Sequence, residues 1–446
     1  MNALEERLPR RKVLVVSLHF PPVNAPDMQR IRMALPYLRE LGWDPVVLAV
    51  APDLVEGAVL EPSLENTYPG DIRIIRTRGL PFRATRWAHL GSLWLRCGAF
   101  LRSEGDRLLS NEKFDLIFFT TTQFDAFALG PKWESKFGVP FMLDYQDPWV
   151  NTYYARTGVK PPGGWLKFGF SQWLAKWREP KVLRKASGII AVSQAYAKSM
   201  ATHYPWFDER RVEFLPFGAA ERDFVAALSH KPSEPLVDFG DGLIHLVYAG
   251  RCGPDMSTSL KILFRAFKLF LAASPEEAKR IRFHFIGTDY APRPLGREWA
   301  MPVAREEGVE NFVDEKCYRV PYFDALYYLT HANGLIAVGS NDPTYSASKI
   351  FPYALARRPL LVIFHEESPV FAMAAAMKCG CLHSYTGPEC IDRVALAVAK
   401  DWFMSGRMHE IPTPDLTAFR PYSAENMTHR LAQCFNEAVD RHKDPA

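Results

Sequence analysis

The sequence predicts an α/β protein built from two doubly wound, Rossmann-like domains that face a cleft, and two observations support this fold class. First, short and continuously apolar runs alternate with helical patterns along most of the chain. Strands of a parallel sheet that helices cover on both faces have this composition. Second, a polar stretch rich in Pro and Gly at 229–242 interrupts the alternation, which then starts again. The length agrees, because 446 residues exceed one ordinary core.

The first half of the chain contains the first of these repeating patterns. A helical pattern with Ile31, Leu35 and Leu38 follows the first strand and closes at Gly42. Pro36 lies inside this pattern and predicts either a kink or a later start of the helix. Apolar runs predict strands at 12–16, 46–50, 72–75, 116–120, 140–143, 188–192 and 212–215.

The second half repeats the rhythm and ends in a helix. A final amphipathic helix carries Met427, Leu431 and Phe435 on one side. We therefore expect an N-terminal domain at 1–228, a C-terminal domain at 243–405 and a helical segment at 406–446. Strands are predicted at 244–249, 282–286, 334–338 and 360–364, and helices at 260–271, 322–330 and 348–356.

Cysteine usage and the N-terminus indicate the compartment and argue against a metal. The seven cysteines are scattered, and the one close pair, Cys379 and Cys381, has no second pair or His cluster to complete a zinc site. Free thiols in a reducing compartment fit better than disulfides. The first residues do not form a signal peptide, and no apolar run approaches the ~20 residues that span a bilayer. We expect a cytoplasmic protein that uses no cofactor and no metal.

Positive charge is concentrated in two stretches of the first half. Residues 76–102 contain six Arg and no acid, and residues 151–185 contain eight Lys or Arg against Glu179. In the second stretch Leu166, Phe170, Trp173 and Trp177 recur at helical spacing. Such a stripe beside cations favours peripheral contact with the inner membrane face. A helix packed on its own domain is the alternative for the stripe taken alone. Nucleic acid is not expected, because no binding module accompanies the charge.

Anion-binding features follow two strands of the second half. Gly250 and Arg251 come directly after the strand 244–249, where backbone N–H groups and a guanidinium can meet a phosphate. The alternative is a tight turn with a surface Arg. Tyr345, Ser346, Ser348 and Lys349 lead into a helix, where hydroxyls, an ammonium and free N–H groups suit an anion. The alternative here is an ordinary Ser cap followed by an exposed Lys.

Eight sequence segments resemble one enzyme family in their order along 12–370. The chain is similar to glycosyltransferases of the two-Rossmann (GT-B) fold, family 4 or family-4-like, which act in polysaccharide and lipopolysaccharide-type assembly. The segments are KVLVVSLHFPPVNAPDMQR, FDLIFFTTTQFDAFALG, VPFMLDYQDPWV, ASGIIAVSQAYA, LPFG, LVYAGR, RVPYFDALYYLTHANGLIAV and SASKIFPYALARRPLLV.

The resemblance implies roles for individual residues. In the C-terminal domain, a donor site for a nucleotide-sugar diphosphate would comprise Gly250, Arg251, Val320, Tyr322, Tyr345, Ser346, Ser348 and Lys349. On the acceptor side, the N-terminal domain would supply Asn24, Arg30, Asp144 and Gln146. Asp147 would orient or deprotonate an acceptor hydroxyl, and Arg251 and Lys349 would stabilise the leaving diphosphate. The alternative for Asp147 is a cap for the turn at Pro148.

The sequence departs from the family pattern at the ribose-binding position. The family usually places a Glu in the helix after the Ser-Lys element, and Pro352 stands at this position here. The second Glu of the family signature falls on Thr344, and the lysine that often follows the Gly-Arg turn is displaced, with Ser257 or Thr258 near its place. Loss of such a hydrogen bond costs about 1.5–3 kcal/mol. Glu366 and Glu367, after the next strand, are candidate substitutes.

Three functions remain open at this stage. The leading one is a hexosyltransferase-type enzyme that moves a sugar from a nucleotide donor to a saccharide or lipid-linked acceptor, with retention implied by the resemblance. The others are a GT-B protein with a degenerate donor site that acts as a partner or scaffold, and a nucleotide-sugar epimerase. A dehydrogenase is disfavoured, because Phe20-Pro21-Pro22 follows the first strand instead of a glycine-rich turn.

Overall fold

The chain folds into two compact units. The structure, a computed structural model, describes residues 10–85, 91–151, 161, 164–289, 296–343 and 348–443. The first unit comprises Met1–Phe217 together with Ala424–Ala446, and the second comprises Gly218–Ser423. The expected segment 406–446 is thus shared between the units, because its last helix packs on the first sheet. The expected linker at 229–242 lies inside the second unit.

Each unit contains one sheet in which every strand pair is parallel. The first sheet has the order β3-β2-β1-β4-β5-β6-β7 and the second β10-β9-β8-β11-β12-β13. The strands of the first sheet are β1 Arg11–Val16, β2 Trp43–Val50, β3 Arg73–Thr77, β4 Leu116–Thr120, β5 Phe141–Tyr145, β6 Gly188–Ala191 and β7 Val212–Phe214. Those of the second are β8 Ile244–Ala249, β9 Ile281–Ile286, β10 Val313–Lys316, β11 Gly334–Val338, β12 Leu360–His365 and β13 Cys381–Tyr385.

Helices connect the strands and cover the sheets. Those of the first unit are α1 Gln29–Leu38, α2 Leu93–Asn111, α3 Gly130–Phe137, α4 Gly164–Lys185, α5 Gln194–His203 and α13 Ala424–Lys443. Those of the second are α6 Glu221–Ala227, α7 Ser257–Ala273, α8 Ala300–Glu307, α9 Tyr322–His331, α10 Ile350–Ala356, α11 Pro369–Met377 and α12 Ile391–Val398. Four-residue turns of helix lie at Phe82–Thr85, Pro275–Ala278 and Leu416–Phe419. Pro36 falls in the last turn of α1, so the helix neither starts after it nor continues far beyond it.

The first sheet is buried on both faces, as its apolar strands predict. On one face, Leu14, Phe119 and Leu143 pack with residues of α2, α3 and α4 in a single core. On the other face, the Phe435 ring of α13 lies 5.0 Å from Phe118 and 5.2 Å from Trp43, centroid to centroid. The last helix of the chain is therefore part of the first unit's core.

The second sheet has the Rossmann strand order, and the predicted strands are confirmed. Two strands escaped the sequence analysis, β10 and β13, and both are edge strands with alternating burial. Their half-exposed sequences, VDEK and CLHSY, lack the continuous apolar character of a central strand. Helices α7, α8 and α12 bury their apolar sides on one face in one cluster.

No helix in the described part of the chain is long and apolar enough to cross a membrane.

The position of Phe435 makes a prediction about the stability of the first unit. Replacing Phe435 with Ala should lower the free energy of unfolding of this unit by about 3–5 kcal/mol, because the ring fills space between two sheet residues. Denaturant titration followed by tryptophan fluorescence measures it, since nine of the eleven tryptophans belong to this unit. The exposed neighbour Gln433 is the matched control, and Gln433→Ala should change stability by less than about 0.5 kcal/mol. Equal effects of the two variants would contradict the placement of α13.

Candidate functional site

The strand order of each sheet defines where a ligand can bind. In the first sheet the chain proceeds outward from β1 in one direction and from β4 in the other, and β1 and β4 are neighbours. In the second sheet β8 and β11 have the same relation. Ligands of open parallel sheets bind at the carboxyl ends of strands at such switch points. The residues that follow β1, β4, β8 and β11 are therefore the first to consider.

Gly250 and Arg251 follow β8 as the sequence predicts. Gly250 has a φ of +134°, a conformation that a side chain would strain. The guanidinium of Arg251 is held by Asp255, with Nη2 2.8 Å from Oδ1 and Nη1 3.1 Å from Oδ2. Because the contact is bidentate, it fixes the direction of the guanidinium plane.

Lys349 lies beside this turn. Its Nζ donates hydrogen bonds to the hydroxyl of Tyr248 and, at 3.2 Å, to the backbone oxygen of Arg251. A Cβ added at Gly250 would lie only 3.6 Å from this Nζ. Desolvation, helped by the charge of Arg251, lowers the pKa of Lys349 to about 7 against the opposing effects of Cys252 and Asp255. The structure thus brings Gly250, Arg251 and Lys349 together.

The helix after Lys349 is shorter than the pattern 348–356 predicts. Helix α10 has seven residues, begins at Ile350, and has Lys349 at its N-cap without a side-chain capping bond. Ser348 is half-buried. The predicted donor ligands Tyr345 and Ser346, and Thr344 of the family signature, lie outside the described residues.

The residues at the unusual ribose position have structural contacts of their own. The hydroxyl of Tyr353 donates to the oxygen of Ala249 at 3.0 Å and accepts from the Ala249 N–H at 2.8 Å. It therefore anchors α10 to the last residue of β8. Phe351 stacks on Tyr422 at 4.4 Å between ring centroids. In the sequence, Pro352 stands between Phe351 and Tyr353. These contacts give the sequence around Pro352 a packing role.

The other donor-side residues follow β10 and β12 of the same sheet, each two strands away from β8. Val320 and Tyr322 follow β10, and the Tyr322 hydroxyl donates to Asp223 at 2.8 Å. Glu366 and Glu367 follow β12 and are exposed. All four residues thus follow the carboxyl ends of strands of the second sheet, as Gly250 does.

In the first unit, a cluster around Asp27 occupies the switch point. His19 follows β1, and its Nδ1 lies 2.9 Å from both carboxylate oxygens of Asp27. Thr121 and Thr122 follow β4 and donate to Asp27 Oδ2 at 3.0–3.1 Å. Burial alone would raise the pKa of Asp27, but His19 and the bonds from Thr122 lower it below its usual value. Asp27 is therefore a buried carboxylate that fixes the imidazole of His19.

Three of the predicted acceptor-side residues form one buried network. Arg30 Nε donates to Asp144 Oδ2 at 2.8 Å, and neither side chain is exposed. Arg30 also donates to the oxygens of Leu215 and Pro216, so it joins α1 to the chain after β7. Gln146 Nε2 donates to Asp144 Oδ2 at 2.8 Å and to the oxygen of Asp27 at 2.9 Å.

The fourth acceptor-side residue, Asn24, is apart from this network. Its amide nitrogen donates to the carboxylate of Glu61 at 3.0 Å, and both residues are buried. The side chains of Asn24, Arg30, Asp144 and Gln146 are therefore engaged with protein groups.

Asp147 differs from these four residues because it is exposed. Within the described residues it makes no hydrogen bond and no ion pair. The surrounding protein removes solvent from its carboxyl and, together with the negative charge of Asp27, raises the pKa of Asp147 to about 6. The pKa of Tyr196 is raised chiefly by burial and also by the negative charge of Asp147. Asp147 thus provides an exposed carboxyl with a raised pKa just after the carboxyl end of β5.

Several residues of both clusters escaped the sequence analysis. In the first unit these are His19, Asp27, Thr121 and Thr122, and in the second Tyr248, Asp255 and Tyr353. A usable signal was present for His19, Thr121 and Thr122, because each lies within three residues of the end of a strand at the switch point. Tyr248 and Tyr353 carry no such signal, since both sit within regular elements and read as core residues.

A separate cavity of 470 Å³ lies at the edge of the first sheet. Its walls include Ser193, Lys198, Glu213 and Arg430, and Arg430 pairs with Glu213. None of the residues considered above lines it.

The described residues contain no group of three or more His, Cys, Asp or Glu side chains that could hold a metal ion.

Comparison with known proteins gives a family match for part of the chain and a fold for almost all of it. Residues 29–218 match the family described as the glycosyl transferase 4-like domain. No curated protein sequence matches the chain.

Solved structures of glycosyltransferases superpose on almost the whole chain. HepE from Anabaena, solved with UDP and glucose, has a TM-score of 0.59 at 13% identity over 96% of this chain and 100% of its own. The sucrose-phosphate synthase of Thermosynechococcus elongatus gives 0.58 at 14% identity over 96% and 98%. The UDP-forming trehalose-phosphate synthase of Burkholderia xenovorans gives 0.60 at 12% identity over 95% and 100%.

Both sheets, both switch points and these matches agree with the expected fold class. The chain therefore has the GT-B fold, and residues 29–218 resemble the glycosyl transferase 4-like domain.

Proposed function

We propose that the protein transfers a sugar from a nucleoside-diphosphate donor to a hydroxyl of a saccharide or lipid-linked acceptor, with retention of configuration, in polysaccharide assembly. The observation that supports this most is the position of the Lys349 ammonium against the Gly250–Arg251 turn at the switch point of the second sheet. A diphosphate is the ligand that a guanidinium, an ammonium and an open glycine turn would suit.

The structural neighbours support a choice of donor class. HepE has been solved with UDP and with UDP-glucose. A uridine diphosphate sugar is therefore the first donor to test here. Val320 and Tyr322 are assigned to the base, and Ser348, with Tyr345 and Ser346, to the diphosphate. Glu366 and Glu367 are assigned to the ribose, since Pro352 has no group to bind it.

Lys349 would change partners when a donor binds. In the free protein its Nζ donates to Tyr248 and to the oxygen of Arg251, both uncharged acceptors. A diphosphate offers it anionic oxygens, which form stronger hydrogen bonds with an ammonium. During transfer the acceptor oxygen forms a bond to the anomeric carbon, the bond between this carbon and the diphosphate breaks, and the proton of the acceptor hydroxyl passes to the released diphosphate. Negative charge grows on the leaving oxygen as its bond breaks. Lys349 and Arg251 stabilise this charge, which lowers the barrier.

The acceptor is assigned to the first unit. Asp147 orients the attacking hydroxyl, because it is the exposed carboxyl beside the Asp27 cluster. Arg30, Asp144 and Gln146 act as positioning residues, since their network fixes both the end of β5 before Asp147 and the backbone of Asp27. Asn24 holds the loop between β1 and α1 through Glu61.

One experiment distinguishes this function from its two alternatives, an epimerase and a scaffold. The protein is incubated with a panel of nucleotide-sugars, with and without saccharide acceptors, and products are identified by mass analysis. Transfer requires an acceptor, whereas an epimerase converts the donor without one. A scaffold with a degenerate donor site converts nothing and shows no thermal stabilisation by any nucleotide of the panel.

Lys349 should contribute strongly to donor affinity. We expect Lys349→Ala to weaken binding of UDP-glucose by about 10- to 100-fold, the usual worth of a hydrogen bond to a charged group. Isothermal titration calorimetry measures this. The exposed Lys268 of α7 serves as the matched control, and Lys268→Ala should leave the affinity unchanged. Unchanged binding by a folded Lys349→Ala protein would remove the lysine from the donor site.

The lowered pKa of Lys349 predicts a pH dependence of donor binding. Below pH ~7 the free protein already carries the proton on Lys349, so affinity is highest there. Above it, binding must take up a proton, and affinity for UDP-glucose should fall by up to about tenfold per pH unit until the pKa of the complex is reached. Calorimetry in two buffers of different ionisation enthalpy should show uptake of about one proton near pH 8.5 and almost none near pH 6. Affinity that does not change with pH would refute this role.

The raised pKa of Asp147 predicts the acid limb of the activity profile. Activity should require the carboxylate, so kcat/KM should decrease as the pH falls through about 6. Asp147→Asn should lower kcat by about 100-fold or more and abolish this limb, while binding of UDP-glucose stays unchanged. The exposed Asp53 is the control residue, and Asp53→Asn should keep both activity and limb. An Asp147→Asn enzyme that retains the limb would show that another group titrates.

A further inference from the structure

Helix α4 has two apolar sides, and only one of them is covered. The covered side comprises Ala175, Val182 and Leu183, which join the core of the first unit. It also contains Glu179, whose carboxylate accepts hydrogen bonds from the hydroxyls of Tyr145 and Tyr204. All the buried residues of α4 lie between 175 and 183, so the preceding half, 164–174, buries no residue.

The opposite side of α4 is an exposed stripe of large apolar residues, which we name the outer stripe. It consists of Leu166, Phe170, Trp173 and Trp177, spaced by four, three and four residues. Their exposed fractions are 93%, 65%, 63% and 55%. Phe170 and Trp173 stack on each other at 5.9 Å between ring centroids. Exposed single apolar residues are ordinary, but a continuous stripe of this size indicates a binding surface.

The charges beside the outer stripe are all positive. Lys167, Lys176 and Lys181 are exposed on α4, and the Nζ of Lys181 lies 3.3 Å from the ring centroid of Trp177. Glu179 is the only acid of the helix, and it is buried on the covered side. The surface therefore combines aromatic rings with cations and presents no negative group of its own helix.

We propose that the outer stripe docks the protein on an anionic lipid surface. The helix would lie in the interface plane with Leu166, Phe170, Trp173 and Trp177 among the acyl chains and lysines at the headgroups. Tryptophan and lysine side chains suit this depth, because each has an apolar body and a polar end. The stripe lies along one side of a single helix, and its cations complement anionic headgroups.

This inference goes beyond the proposed transfer reaction and does not depend on it. Vesicle binding needs neither donor nor acceptor, whereas donor binding by Lys349 needs no lipid. Failure of one therefore leaves the other standing.

Co-sedimentation with vesicles tests the proposal. The full chain is mixed with vesicles of phosphatidylcholine alone or with about 30% phosphatidylglycerol. We expect binding to the anionic vesicles at least about tenfold stronger than to the neutral ones, and weaker binding in about 0.5 M salt. The triple variant Phe170→Ser, Trp173→Ser, Trp177→Ser should lose at least about tenfold in partitioning. The pair Lys167→Glu, Lys176→Glu should lose the preference for anionic lipid.

A matched control has the same number of apolar-to-Ser changes elsewhere. Val225, Leu228 and Ile411 of the second unit are similarly exposed, and the variant Val225→Ser, Leu228→Ser, Ile411→Ser should bind vesicles like the unchanged protein. Circular dichroism and the thermal unfolding midpoint verify that each variant is folded. The proposal is overturned if the unchanged protein binds neither the neutral nor the anionic vesicles, or if the outer-stripe variant binds as strongly as the control variant. It is also overturned if sedimentation velocity shows a dimer without lipid that the outer-stripe variant abolishes.

Discussion

A parallel sheet with helices on both faces leaves little besides its strand ends for binding a ligand, and both units of this protein are built under that constraint. Every strand pair is parallel, and the central strands are buried on both sides. The chemistry is therefore concentrated where the chain changes direction, after β1 and β4 in one unit and after β8 and β11 in the other. His19, Thr121 and Thr122 occupy the first position, and Gly250 and Arg251 the second.

The two positions have opposite electrostatics. Lys349 is a half-buried cation whose pKa is lowered, and Asp147 is a carboxyl whose pKa is raised, so each is close to its titration at physiological pH. A diphosphate would offset the cost of desolvating Lys349, because the nearby carboxylate of Asp255 is already paired with Arg251. The ionised Asp27 and the Arg30–Asp144 pair in the first unit are instead balanced by protein groups. Breaking such a buried pair costs about 3–5 kcal/mol, which makes it a rigid support.

Much of the fold could be predicted from the sequence, because central strands and amphipathic helices have apolar patterns that depend on local residues alone. Edge strands such as β10 could not, since half of their residues face solvent. The packing of α13 on the first unit could not be predicted either, because the apolar side of this helix, with Phe435, would suit any apolar surface. In the candidate site, Gly250, Arg251 and Lys349 were predicted by position and motif, and the structure brings them together. The contact of Lys349 with Tyr248 joins residues 101 positions apart, which a single sequence does not show. Asp255 is only four residues from Arg251, but an i,i+4 acid is too common to single out. We predicted that Arg30 and Asp144 lie on the acceptor side, but we did not predict that they form an ion pair with each other in the interior.

A crystal structure of the protein with UDP would test the central claim most directly. The account predicts that the Nζ of Lys349 leaves the Tyr248 hydroxyl and, with the guanidinium of Arg251, lies within about 3.2 Å of diphosphate oxygens above Gly250. A nucleotide bound elsewhere, or a bound diphosphate with Lys349 still on Tyr248 and the oxygen of Arg251, would contradict it.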